Sequence, residues 1–322
     1  MSKFVRSVLV TGGTSGLGYH AATEIANRRP DHCIVIASRT DHDKSADSIN
    51  KRRGHDNVQF MHLDLADSKN IRSFVKTWGE KKLPPLSVLL LNAGLQFPNR
   101  IKYTAEGLEA TFGINVVGHA LLLPLLMPYM ADEARIVVTS SGTHDPAQKT
   151  GVADAVYTTA EELAHPTEKT LNNPGRQRYS TSKLCNVLWT YALSRRLTKL
   201  PSNKKWTVVA FDPGLMPGTR LAREAGPVLR FLFTRILPAL IPVLRLVVSH
   251  NIHRPEESGA NLAWIGLDDT GTSGVYYEGR KEIKSSVDSY DEAKQEELWD
   301  WIVRNLPKDE QEKRQFEFEV VS

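Results

Sequence analysis

The chain has 322 residues, 41% hydrophobic and 24% charged, which supplies apolar material for a large core and excludes a disordered or fibrous protein. A net charge of +4 leans toward anionic ligands, but acidic residues are interleaved with the basic ones, so no nucleic-acid footprint is present. The 2 cysteines, Cys33 and Cys185, lie in apolar or helical contexts without metal-ligand spacing; they read as buried thiols in a reducing compartment, and no metal site is expected.

The first apolar run, SVLVT at 7–11, is too short for a signal peptide and lacks a small-residue cleavage site, so it reads as a strand of a cytosolic chain. Similar Val-, Ile- and Leu-rich runs follow at 33–38, 58–63, 87–92, 135–140 and 206–211, with helical stretches between them. Near-continuous hydrophobicity suits strands covered on both faces, so the alternation predicts a doubly wound parallel α/β sheet in a single domain over 1–322.

TGGTSGLG at 11–18 follows the first strand and opens a helix. Gly12, Gly16 and Gly18 allow a tight turn and close backbone approach, and the helix start aims its N–H groups at a pyrophosphate. That context makes the loop a dinucleotide cradle. At the end of the second strand, ASRT carries Arg39 where a dinucleotide fold meets the adenosine ribose. A guanidinium there pairs with a 2′-phosphate, which favours NADP over NAD, although Asp41 and Asp43 are close enough to pair with it instead. Asp64 ends the third strand and Asn92 and Gly94 end the fourth, at the carboxyl edge where ligands bind.

The polar, Pro- and Gly-containing stretch 142–178 is too long for a simple connection and is expected to shape a substrate pocket. RYSTSKLCN at 178–186 then places Tyr179 and Lys183 four residues apart, on one helix face. The pair is either a catalytic constellation or an ordinary solvated face with an aromatic neighbour. Residues 217–251 centre on VLRFLFTRILPALIPVLRLVV, which is interrupted by Arg230, Arg235 and Arg245 and broken by Pro238 and Pro242. The segment reads as an apolar lid, and arginines along apolar helical pieces also fit a segment lying in a membrane interface. SYDEAKQEELWDWIVRNL near the C-terminus predicts an amphipathic helix packed through Leu298, Trp301 and Ile302.

Taken in order, TGGTSGLG at 11–18, Asp64, NAG at 92–94, Asn115 in TFGINVVGH, TSS at 139–141, YSTSK at 179–183 and DPG at 212–214 resemble the short-chain dehydrogenase/reductase family over about two thirds of the chain. The resemblance implies a Rossmann-type fold and a catalytic group of Asn115, Ser141, Tyr179 and Lys183, with Ser140 the alternative to Ser141. It implies cofactor contacts from Gly12, Thr14, Ser15, Gly16, Leu17 and Gly18, then Ser38 and Arg39, then Asp64 and Leu65. Asn92, Ala93 and Gly94, Tyr179 and Lys183, and Pro213, Gly214 and Thr219 complete the set.

Carbonyl reduction needs a proton donor and a fixed hydrogen bond to the oxygen. Tyr179 supplies the proton on this reading, Lys183 makes the phenol more acidic and holds the nicotinamide ribose, and Ser141 binds the substrate oxygen. The resemblance implies that Asn115 interrupts its helix to hold a water linking Lys183 to solvent. His144 either touches substrate or bonds to its own backbone, and His119 packs on a helix.

The long insertion, SKLCN and the lid followed by RPEESGANLAWI look most like retinol dehydrogenases and protochlorophyllide oxidoreductases. The expected function is therefore NADP(H)-dependent oxidoreduction of the carbonyl or alcohol of a bulky lipophilic compound. Peripheral membrane contact through the lid, and pairing of two copies through the helices around Tyr179, are further expectations. The competing class is a nucleotide-sensing scaffold that docks a membrane or partner through its lid without chemistry. A sugar or small keto acid as substrate is disfavoured by the apolar lid.

Overall fold

In the computed structural model, which describes residues 3–218, 231–268 and 271–318, the apolar runs form strands covered on both faces. The strands are β1 (Arg6–Thr11), β2 (His32–Ser38), β3 (Val58–His62), β4 (Leu86–Leu91), β5 (Met130–Thr139), β6 (Lys205–Asp212), β7 (Val275–Glu278) and β8 (Lys281–Ile283). They form one sheet in the order β3-β2-β1-β4-β5-β6-β7-β8, parallel except for the antiparallel β7–β8 pair. This is the doubly wound arrangement expected, extended by two strands that the sequence reading did not assign.

Successive residues alternate between two cores, as the period of 2 requires. Leu9, Val35, Leu89 and Ile136 face one layer, and Val8, Ile34, Leu90 and Val137 face the other. The helices are α1 (Gly16–Arg28), α2 (Ser45–Arg53), α3 (Ser68–Glu80), α4 (Ala110–Phe112), α5 (Gly118–Leu126), α6 (Ala160–Ala164), α7 (Gly175–Leu197), α8 (Ile241–Val247), α9 (Pro255–Leu267), α10 (Glu292–Asn305) and α11 (Glu310–Phe316). Helices α3, α5, α7 and α10 close the first layer, with Phe74 and Trp78, Leu122, Leu188 and Trp301 among the contributors. Helices α1, α2 and α9 close the second through Ile25, Ile49 and Leu262. Each fully buried Leu or Ile of these layers stabilises the fold by about 1.5–3 kcal/mol relative to exposure.

The stretch Ala110–Tyr129 is apolar enough to cross a membrane, yet 89% of its apolar window is buried within the fold, as befits a core helix. Its middle is a π turn, Gly113–Val117, centred on Asn115, so the expected interruption of this helix is present.

The insertion folds as two 3₁₀ turns (Gly142–His144 and Pro146–Gln148) and α6, and its last residues already belong to α7. It is pinned to α10: Ala160 N–H donates to Glu297 Oε2 at 3.0 Å and Trp301 Nε1–H to Glu161 Oε2 at 2.7 Å. The described part of the lid runs through a π turn (Leu232–Ile236), a 3₁₀ turn (Leu237–Leu240) holding Pro238, and α8 with Pro242 in its first turn, so the two prolines divide it as expected. Several of its apolar side chains face outward, with Phe231 58% exposed, Leu246 88% and Val247 73%, while Ile241 is buried.

Candidate active site

The sheet order reverses between β1 and β4, and a cavity of about 600 Å³ opens there at the carboxyl ends of the strands. Its phosphate end is shaped by α1. Ser15, at the N-cap, is extended and makes no side-chain cap bond, which leaves the first-turn N–H groups without a side-chain acceptor. Gly12 (φ +68°) and Gly16 (φ +54°) occupy the left-handed region. A Cβ on Gly18 would lie 2.6 Å from Gly12 O and 2.7 Å from Asn92 Nδ2, so the loop needs glycine there for packing.

Thr11 ties this loop to the end of β4. Its Oγ1 accepts from Asn92 N at 2.8 Å and Ala93 N at 3.0 Å, while Asn92 Nδ2 donates to Thr11 O at 2.8 Å. Gly12, Ser15, Gly16 and Leu17 line the cavity, whereas Gly18 and Thr14 stand behind it; Thr14 O accepts from Ser45 Oγ at 2.9 Å.

At the adenosine end, Ser38, Arg39, Asp64 and Leu65 line the wall. Asp41 does not compensate Arg39: its carboxylate accepts from Ser45 N at 2.7 Å at the start of α2. Arg39 is exposed at the rim and has no ion-pair partner among the described residues. Asp64 Oδ1 accepts from Ala66 N at 2.9 Å, a local turn contact. Asn92, Ala93 and Gly94 continue the lining, and Pro213 and Gly214 close it at the far end; Thr219 lies outside the described residues.

Ser141, Tyr179 and Lys183 converge at that far end. Ser141 lies close enough to the Tyr179 hydroxyl to favour its ionised form, and Lys183 Nζ lies 5.6 Å from the Tyr179 ring centroid and donates to Thr139 O at 2.9 Å. Ser140 points away: its hydroxyl donates to Lys183 O at 2.8 Å.

The acidity of the pair departs from the sequence argument. The enclosed position of the Tyr179 hydroxyl pushes the phenol up, the Asp212 carboxylate pushes it further, and only the neighbouring Ser141 side chain pulls it down. Burial lowers the Lys183 ammonium to about 8, with Asp212 acting the other way. Desolvation and Asp212 thus outweigh the acidifying effect expected from Lys183.

Asn115 stands behind Lys183, fully buried, with its side chain bonded to Leu95 and to Ser182 Oγ. His119 is more than helix packing. Its Nδ1 meets Asn115 O at 3.3 Å and its Nε2 meets Thr11 Oγ1 at 2.9 Å, so the neutral ring donates to the carbonyl and accepts from the hydroxyl. His144 bonds to its own turn: Nδ1–H donates to Ser141 O at 2.8 Å and Nε2 accepts from Ser286 N at 3.1 Å, which fixes the Ser141 backbone from behind. Asp212 has no role in the sequence analysis beyond its place in the DPG motif, yet it is a 1% exposed carboxylate on the cavity wall.

A glycine-walled cradle, uncapped helix N–H groups and an elongated cavity ending at a Ser/Tyr/Lys group fit a nicotinamide dinucleotide. The short chain dehydrogenase family model matches residues 6–162. Human polyprenol dehydrogenase is 32% identical over 303 residues, covering 91% of this chain and 83% of that protein. A protochlorophyllide reductase of Avena sativa is 29% identical over 320 residues, covering 91% and 97%. NADPH-bound carbonyl reductase from chicken fatty liver shares the fold, with a TM-score of 0.59 at 19% identity over 88% of this chain and 99% of that one. The chain belongs to the short-chain dehydrogenase/reductase family of oxidoreductases.

Proposed function

We propose that the chain is an NADP(H)-dependent enzyme interconverting the carbonyl and alcohol of a bulky lipophilic substrate. The observation that carries this is the convergence of Ser141, Tyr179 and Lys183 at one end of a cavity whose other end presents the unpaired Arg39.

When bound, NADPH supplies the hydride and NADP⁺ accepts it. The N–H groups at the start of α1 hold the pyrophosphate, and Arg39 pairs with the 2′-phosphate. Tyr179 keeps its proton across the neutral range and delivers it to the carbonyl oxygen, or takes it back from the alcohol. Ser141 donates a hydrogen bond to that oxygen, and Lys183, anchored on Thr139 O, holds the ribose hydroxyls. Asn115 supports the Lys183 end, where a bound water would link it to solvent. A sensor without chemistry has no need of this group, which argues against the non-catalytic alternative.

The lipophilic substrate is supported by the apolar lid and by two relatives named for polyprenol and protochlorophyllide. Phe231, Leu246 and Val247, with Arg235 and Arg245 among them, also favour peripheral contact of a cytosolic chain with a membrane. Liposome sedimentation tests that contact. Pairing through α7 is disfavoured because α10 lies over it, held by the Glu296 ion pairs to Arg195 and Arg196 at 2.7 and 2.6 Å; light scattering is expected to show a monomer. The enzymatic reading is tested by following nicotinamide absorbance with a panel of long-chain and polycyclic ketones and alcohols beside sugars and small keto acids. Turnover confined to the polar compounds, or none at all, would overturn it.

A further inference from the structure

Asp212, at the end of β6, is a buried carboxylate that the mechanism above does not use. Its Oδ1 accepts from Gly214 N at 2.9 Å, its Oδ2 accepts from Asn251 Nδ2 at 2.9 Å, and the Gly142 backbone approaches it closely enough to favour the ionised form. The carboxylate therefore joins the turn after Ser141, the turn after β6 and the root of the lid.

The bond to the lid has a defined direction. His253 Nδ1 receives an N–H from Arg245 of α8 at 3.1 Å, so its Nε2–H donates to Asn251 Oδ1 at 3.1 Å, and this turns the Asn251 amide to donate to Asp212. Every donor in the chain Arg245, His253, Asn251 points inward to the buried negative charge. Glu257 holds the outer end through its ion pair with Arg245.

Charge balance gives the carboxylate a task. Lys183 already places a cation in this enclosed end, and an oxidised nicotinamide brings a second one, whereas the reduced ring is neutral. Two cations at low dielectric repel unless a counter-charge is present. Among the described residues, Asp64 and Asp212 are the carboxylates on the cavity wall, and Asp64 stands at the adenosine end.

Resting on the nicotinamide cofactor proposed above, we infer that Asp212 is a specificity-determining residue that favours the cationic, oxidised ring over the neutral, reduced one, while Asn251 seats the lid root on the same carboxylate. The titratable groups facing Asp212 are Tyr179 and Lys183 on α7, Tyr276 and Glu278 on β7, and His253 through Asn251. Burial raises the Asp212 carboxyl to about 6, so the preference fades as pH falls through that value. The 2′-phosphate is common to both cofactor forms and cancels from their ratio.

The test is equilibrium binding of NADP⁺ and NADPH to the full chain, read as the ratio of the Kd for NADPH to the Kd for NADP⁺. Asp212→Asn is expected to lower this ratio at least about tenfold, the change implied at an effective dielectric constant of about 20 by loss of a unit charge even as far as about 12 Å from the ring. The double variant Asp212→Asn with Asn251→Asp reverses the donor and acceptor, restores the bond and returns a charge nearby; it is expected to recover part of the ratio. Should Asp212→Asn fail to fold, the ratio in the unaltered protein between about pH 5 and 8 carries the same information, falling on the acid side. A ratio unchanged in both the variant and the pH series, or parallel loss of both affinities, would overturn the inference while leaving the cofactor reading intact. Absence of binding by either form to the unaltered protein would overturn both.

Discussion

Asn115 and Leu95 hold each other through two reciprocal hydrogen bonds: Leu95 N–H donates to Asn115 Oδ1 at 2.8 Å, and Asn115 Nδ2 donates to Leu95 O at 2.9 Å. The side chain acts as a strand partner for the segment after β4. Its amide also donates to Ser182 Oγ at 3.0 Å, and that hydroxyl donates to Tyr179 O at 2.7 Å. One amide thus fixes the Gly94 turn against the helix turn that carries Tyr179. Asn115→Asp removes the donors and leaves a buried charge or acceptor facing Leu95 O, at a cost of about 1–3 kcal/mol for each unsatisfied group. A lower thermal midpoint is expected, together with weaker cofactor binding; an unchanged melting curve would show the clamp to be dispensable.

Tyr179→Phe keeps the ring and removes the hydroxyl beside Ser141. Turnover is expected to fall by about 10²–10⁴-fold, the usual value of a positioned proton donor. Affinity for NADPH, held by the remainder of the cavity, is expected to stay within about threefold. A fully active variant would remove the role proposed for this residue.

Much of this arrangement is legible in the chain itself, for identifiable reasons. Strands β1, β2, β4 and the inner parts of β5 and β6 announce themselves because burial on both faces demands runs of Val, Ile and Leu, and the glycine loop does so because glycine is the residue suited to Gly12's φ of +68° and to Gly18's contact with Gly12 O. VYYE and KEI, by contrast, are short and partly polar, and become β7 and β8 only by pairing with β6 and with each other. Asp212 looks like a turn residue until the fold wraps Gly142 and Asn251 around it, a long-range event with no local signature. The same holds for the acidity of Tyr179. The spacing to Lys183 is local and readable, but the desolvation that outweighs it belongs to the folded cavity.

The cofactor preference rests on a single exposed guanidinium. Asp41 is occupied at the start of α2, which leaves Arg39 available for a 2′-phosphate. Removing a charged hydrogen-bond partner costs about 1.5–3 kcal/mol, so Arg39→Ala is expected to weaken NADPH by about 10–100-fold and to leave NADH nearly unaffected. Equal loss for both nicotinamides, or an unaltered enzyme that already prefers NADH, would assign the ribose end to other groups.

Burial holds the Lys183 ammonium near 8, so it is charged below that pH and neutral above it. The kcat/KM for NADPH reports ionisations of the free enzyme. It is expected to be level on the acid side of about 8 and to fall as pH rises through that value. Tyr179, pushed upward, stays protonated throughout this range and does not contribute the limb. Lys183→Arg places a guanidinium that does not titrate there, and should displace the alkaline limb upward if activity survives. A limb that stays at 8 in this variant would belong to another residue.

His119 makes stability depend on acid through a different part of the network. Burial lowers its imidazole to about 3 from an ordinary 6.5, and the neutral ring bridges Thr11 Oγ1 and Asn115 O. As pH falls below 6.5 the unfolded chain takes up a proton that the folded ring refuses, so stability is present above 6.5 and is lost progressively toward 3. Asp212 acts in the opposite sense: raised from 3.8 to about 6, it is more stable folded as pH falls between those values. The two slopes nearly cancel between 6 and 4, which would hide His119 in a simple acid titration of the unaltered protein. Comparison with His119→Gln separates them, because glutamine keeps a donor and an acceptor but does not titrate. Between pH 6.5 and about 5 the unaltered protein should lose about 1.6 kcal/mol relative to the variant, the slope approaching 1.36 kcal/mol per unit as the unfolded imidazole completes its protonation. Urea midpoints at the two pH values measure the difference, and identical shifts for the two proteins would mean that the ring takes up its proton as readily in the fold as in the unfolded chain.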